Sequence, residues 1–169
     1  MHNNTNAPSI YREHQICFFE SHFTELKSGW ISGESGTSDP LLRWDIGGTT
    51  KWSTNWTAGV WHNVAYEIVR LADLKRFIPC WFEKVFGTSV AFWHSTGSDP
   101  LTLTVPAVSA SASSNGEDWH LGVLELPVSG QKDNTEDFYF SGVYIESGSL
   151  TKTVAGPPSS SSRIRRGTA

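Results

Sequence analysis

Short alternations of apolar and polar residues, broken by clusters of Gly, Ser, Asp and Asn, run through most of this chain. From His14 to Phe23 a period of two puts His14, Ile16, Phe18, Glu20 and His22 on one face. Gln15, Cys17, Phe19, Ser21 and Phe23 fall on the other, more apolar face, which is expected to meet the core. LLRWDIGG turns Leu42, Trp44 and Ile46 inward and leaves Arg43 and Asp45 as a pair on the opposite face. WHNVAYEI sets Trp61, Asn63, Ala65 and Glu67 against His62, Val64, Tyr66 and Ile68. KWSTNW, SVAFWHS, LTLTVPAVSAS, DWHLGVLEL and DFYFSGVYIES read as further strands, with SGESGTSDP, STGSDP, SSNGED and SGQKDN as the turns between strands. Many short strands at such spacing predict an all-β domain, a β-sandwich or jelly roll.

Three stretches depart from this pattern. Met1 to Glu13 is polar and reads as an irregular lead-in. In 69–82, VRLADLKRFIPCWF, the apolar spacing from Ile68 through Leu71, Leu74 and Ile78 is helical, and Pro79 ends the run. That segment is either a short helical insert or translated non-coding sequence, since its flanks would join as neighbouring strands without it. The Pro- and Ser-rich end, 157–169, reads as a disordered tail behind a single domain over 1–156. A length of 169 residues suits one core.

Composition narrows the partners. Lys and Arg number 13 against 17 Asp and Glu, a net charge of -4, so no basic field attracts nucleic acid or an anionic membrane. No run is long enough to span a bilayer, and no charged start leads into the apolar core of a signal peptide. Eight Trp, nine Phe and four Tyr fit a pleated, half-buried surface. Trp also stacks on sugars, although a core role is the plainer reading for any one of them.

The chemistry-bearing residues are scattered along the strands. Glu20, between aromatic neighbours, is suited to be a general acid for a leaving sugar oxygen; the plain alternative is a surface glutamate at a sheet edge. His120 shares a strand face with Asp118, which can orient it for proton transfer or for binding a sugar hydroxyl. Cys17 in its apolar run reads as a free buried thiol, and its spacing from Cys80 is neither a metal nor a redox motif. The histidines show no zinc-like spacing, so no metal site and no cofactor is expected, with calcium in the GTSDP and TGSDP loops as the open alternative. Asn3 and Asn55 head N-x-T glycosylation triplets. No nucleophile elbow, phosphate loop or dinucleotide fingerprint is present.

HQICFFESHFTELK, LRWDIGG, WHNVAYEI, FWHSTGSDPLT, SSNGEDWHLGVLELP and EDFYFSGVYIESGSLT together resemble the catalytic domain of glycoside hydrolase family 131, secreted fungal β-glucanases. The resemblance runs from about Glu13 to Gly156, interrupted at 69–82. It implies a jelly roll with a glucan cleft on its concave sheet, cleavage of β-1,3, β-1,4 or β-1,6 bonds, a monomer, and an extracellular location. On the matching positions it implies that Glu20 is one of two catalytic glutamates and His120 a histidine of the cleft; Glu20 and His120 are expected to be catalytic, and His14, Gln15, His22 and Arg43 to contact substrate. The family's other catalytic glutamate lies in an Arg-Thr-Glu-Leu setting upstream of HQICFFE. This chain lacks that segment, so it is read as N-terminally truncated, with strands of the jelly roll missing. Usual glycosidases need two carboxyl groups. A non-catalytic glucan-binding remnant and a jelly-roll polysaccharide lyase are therefore the competing readings.

Overall fold

A computed structural model describes residues 2–3, 9–70, 88–111, 118–131 and 135–154. Among these the chain forms strands and no helix, in the order β1 (His2–Asn3), β2 (His14–Phe19), β3 (Thr24–Ser28), β4 (Leu41–Ile46), β5 (Thr49–Asn55), β6 (His62–Arg70), β7 (Thr88–Thr96), β8 (Thr102–Ala110), β9 (Trp119–Glu125) and β10 (Phe138–Tyr139). Every pairing is antiparallel. A five-stranded sheet has the order β5-β4-β3-β2-β9, a three-stranded sheet the order β6-β7-β8, and β1 pairs with β10.

The two larger sheets pack face to face, as the alternation requires. Ile16, Leu26, Leu42, Trp44 and Ile46 from one meet Val90, Phe92 and Ala110 from the other. Trp44 stacks on Phe92 with centroids 4.8 Å apart and planes 10° from parallel, and Trp52 closes on the same ring at 5.0 Å. The Trp44 indole N–H donates to Thr24 Oγ1 at 2.8 Å, so the largest buried ring leaves no polar atom stranded. Trp52, Trp56 and Trp119 also pack against this cluster, so the core reading holds for these four tryptophans. The inward set read for β4 holds as well, and of the two faces of β6 it is Val64, Tyr66 and Ile68 that pack on the cluster beside Leu42, Trp44 and Ile46.

Four expectations change. The first long strand stops at Phe19, where the His22 N–H donates to Phe19 O at 2.7 Å and the chain turns, and TELKS becomes a strand of its own. DFYFSGVYIES contributes only Phe138–Tyr139. Gly142 at φ 62° breaks the extended run, and Val143, Tyr144 and Ile145 lie exposed. The N-terminal lead-in is not wholly irregular, because His2 and Asn3 pair with Tyr139 and Phe138. Val69 and Arg70 continue β6, where the strand ladder to Ser89 and Thr88 overrides helical spacing; 71–82, Cys80 and the 157–169 tail lie outside the described residues. Cys17 is free and buried, as its apolar run predicts, and burial pushes its thiol above the usual value despite a backbone hydrogen bond from Gly122.

Candidate active site

The site is created by one irregular residue. Cys17 sits at φ 48°, and the register between β2 and β9 slips between Ile16 and Phe18. Two β9 residues, Leu121 and Gly122, lie there against the single β2 residue Cys17, and the left-handed backbone of Cys17 reverses which later side chains of β2 face the core. Before it His14 and Ile16 are buried and Gln15 faces away from the core; after it Phe19 packs inward and Phe18 points out. The simple alternation therefore misassigned part of β2. His14 is separated from Phe18, Glu20 and His22, and Gln15 joins their face, because a period of two does not survive the left-handed backbone at Cys17.

The outward face gathers two histidine–glutamate pairs around Phe18. Phe18 lies opposite His120 in the β2–β9 register, and the rings stack at 5.0 Å and 25°. The turn after β2 brings His22, at φ 51°, back over the same ring at 5.0 Å and 8°. His120 Nε2 meets Glu20 Oε2 at 2.7 Å, and the Glu20 N–H donates to Asp118 O at 2.9 Å, which ties the turn to β9. On the other side His22 Nδ1 meets Glu25 Oε2 at 2.9 Å.

The two pairs differ in access, which decides what each can do. Glu20 and His120 are open, with side chains 62% and 47% exposed. Glu25 is 2% exposed although it lies on the outward face, because its neighbours close over it. Its other oxygen stands 3.3 Å from Lys27 Nζ, and Lys27 reaches Glu13 at 2.9 Å. Burial works against the Lys27 charge, but the hydrogen bond to Glu13 and the nearby Glu25 outweigh it and lift the ammonium above its ordinary value. The Gln15 amide donates to the same Glu13 oxygen at 3.1 Å. Asp45, opposite Glu25 in the β3–β4 register, accepts from the Thr50 hydroxyl at 2.7 Å. The result is a floor of fixed charges around one accessible carboxyl.

The fold thus brings Glu20, His22, His120 and Gln15 onto one face. Arg43 shares that face but is committed to its own loop, with Nη1 to Glu34 at 2.7 Å and Nη2 to Asp39 at 2.7 Å and to Gly29 O at 3.0 Å. His14 lies inside, 1% exposed. Sequence reasoning passed over Glu25 and Lys27, although T-E-L-K-S alternates like the other strands and places both on one face. Neither Asp39 nor Asp99 joins a group of three metal-ligating side chains among the described residues, so the calcium alternative gains nothing from the GTSDP and TGSDP loops.

A second histidine pair lies on the core side. His62 Nδ1 and His94 Nε2 are 3.0 Å apart, with Trp52 against His94 at 4.5 Å and Trp56 near His62 at 6.3 Å. Burial lowers both imidazoles to about 4, and His94 adds repulsion on His62. These rings are structural neighbours of the aromatic core and lie apart from the Glu20 face.

Residues 1–151 match the model of the glycoside hydrolase 131 catalytic N-terminal domain. A GH131 beta-glucanase catalytic domain from Podospora anserina is 62% identical over 92% of this chain and 58% of its own, with a TM-score of 0.78. The catalytic domain of the glycoside hydrolase family 131 protein from Coprinopsis cinerea is 40% identical over 90% of this chain and 55% of its own, with a TM-score of 0.70. The chain spans just over half the length of both relatives. No curated protein matches it.

Proposed function

The chain belongs to glycoside hydrolase family 131, and on that footing we propose that it acts on cell-wall glucans at β-1,3, β-1,4 or β-1,6 linkages, with Glu20 as the proton-transferring carboxyl and His120 as its positioning partner. The observation that carries this reading is the open 2.7 Å contact between the two side chains. A glycosidic oxygen needs a proton to leave, and a carboxyl on an accessible sheet face, held by an imidazole, is placed to give one. Phe18 offers an apolar surface for the C–H face of a glucose ring, and Gln15 and His22 offer hydrogen-bonding groups for its hydroxyls. Glu25, closed off from solvent, orients His22. The second carboxyl of a glycosidase pair then comes from sequence beyond this chain, in keeping with relatives that are longer.

Reducing ends released from laminarin and from cellulosic glucans, by the wild type and by Glu20→Gln, test the proposal. Equal release by both sinks the role of Glu20. A second reading, glucan binding without turnover, is favoured by Glu20 being the accessible carboxyl of the two pairs. It predicts retention on insoluble glucan with no product formed. A lyase reading fits less well, because Glu13, Glu25 and Asp45 on the same face repel a uronate; its mark would be products absorbing in the ultraviolet. We also place the protein outside the cell and as a monomer. Asn55 of N-W-T lies exposed at the end of β5, where a secreted chain accepts a glycan.

A further inference from the structure

The inner side of β2 carries a second polar cluster that the glucan reading does not use. The His14 ring is 1% exposed, and neither of its nitrogens makes a hydrogen bond. Its Nε2 nevertheless stands 2.8 Å from Glu136 Oε2, a carboxylate whose side chain is 5% exposed. Glu125, across the β2–β9 register from His14, completes a set in which one ligand atom from each residue lies within 4.8 Å of the others. A buried imidazole is costly where its Nδ1 has no hydrogen-bond partner and its Nε2 has only the neighbouring carboxylate. A nitrogen and two carboxylate oxygens converging on one point offer a way to satisfy it.

We propose that His14, Glu125 and Glu136 bind one divalent transition-metal ion, of which Zn2+ is the test case. Imidazole with two carboxylates suits Zn2+ or Mn2+, whereas Ca2+ prefers an all-oxygen shell. Ligand atoms held about 2.1 Å from a metal lie roughly 3–4 Å apart, so a set already within 4.8 Å needs only a small approach to hold an ion. The surrounding contacts hold the ligands in place. Arg12 pairs with Oε1 of Glu125, and its Nε donates to Gln131 at 3.0 Å. The Ser9 N–H donates to Glu136 Oε1 at 2.8 Å. Glu125, with 28% of its side chain exposed, is the side from which an ion reaches the cluster. The metal ties β2 to β9 and to the segment leading into β10, both far from β2 in sequence, so its role is to fasten that edge of the fold rather than to react.

The experiment uses the full chain, stripped with EDTA, dialysed and titrated with Zn2+ by calorimetry, with Tm measured in parallel. The expected result is one equivalent bound and a higher Tm. Glu125→Gln and Glu136→Gln should each weaken binding by at least about tenfold, and His14→Gln should abolish it. If His14→Gln fails to fold, Glu125→Gln, the most exposed ligand, carries the test, with circular dichroism confirming its fold. No binding and no Tm shift overturns the proposal, and so does undiminished binding in either glutamate variant. In the first case His14 is simply the ion-pair partner of Glu136, and in the second the ion binds elsewhere.

Discussion

Glu20 and His120 are separated by 100 positions in the chain and by 2.7 Å in the fold. The contact follows from the pairing of β2 with β9, which sets Phe18 opposite His120 and lets the turn after Phe19 carry Glu20 over the imidazole. Because both side chains are largely exposed, the pair contributes little to stability and is free to serve chemistry.

Glu20→Gln is accordingly expected to leave the unfolding midpoint within error of wild type. It should reduce glucan hydrolysis by about 10²–10⁴-fold, the usual worth of a positioned general acid. His120→Asn should reduce kcat by less and alter the pH profile, because the carboxyl remains while its positioning partner is lost. Reducing-sugar assays across pH distinguish the two variants.

The core makes a different demand. Trp44 is fully buried and stacked on Phe92, so Trp44→Ala is expected to destabilise by about 3–5 kcal/mol. Urea denaturation followed by circular dichroism measures it. A loss under about 1 kcal/mol would mean that the two sheets do not meet at this ring pair.

Gly29 holds a turn that no side chain fits. Its φ is 77°, and a Cβ built there would lie 1.8 Å from Arg12 O, a backbone atom that cannot step aside. Gly29→Ala combines positive-φ strain of roughly 1–3 kcal/mol with that clash, and a large fall in Tm or loss of soluble protein is the expected outcome. It should also loosen Arg43, whose Nη2 donates to Gly29 O.

Acid should weaken the fold through His62 and His94. Both are held at about 4 when folded against an ordinary 6.5, so well above pH 6.5 they are neutral in both states and stability does not vary with pH through them. As pH falls from 6.5 towards 4 the unfolded chain binds protons that the folded chain refuses, and stability declines through that window. Urea midpoints at about pH 7.5 and about pH 4.5 should differ, and His94→Gln should flatten the difference.

Much of this was legible in the residues. Leu42, Trp44 and Ile46 announced an inward face because nothing interrupts the alternation of β4, and the all-β class followed from repeating it. Glu20 and His120 were legible as candidates, but their meeting was not, since pairing across 100 positions leaves no local trace. His14 was misplaced for a different reason. The slip at Cys17 depends on φ 48° at a residue that is not glycine, and no turn signal marks it. The partners of Arg43 were not legible, because Glu34 and Asp39, which neutralise it, lie in a loop without periodicity.

The bulge at Cys17 divides β2 into two pieces with separate duties. Upstream, the chain contributes His14 and Ile16 to the interior; downstream, it contributes Phe18 and then Glu20 to the outer surface. Substitutions at His14 and Ile16 are therefore read out as folding defects, and those at Phe18 and Glu20 as altered catalysis. A directed-evolution library confined to positions 18–22 can thus explore specificity while the interior composition stays unchanged, apart from the packing of Phe19. Deleting Cys17 would keep that division, because Phe18 would follow Ile16 directly and still point outward, whereas a regular extended backbone at Cys17 would turn Phe18 towards the interior.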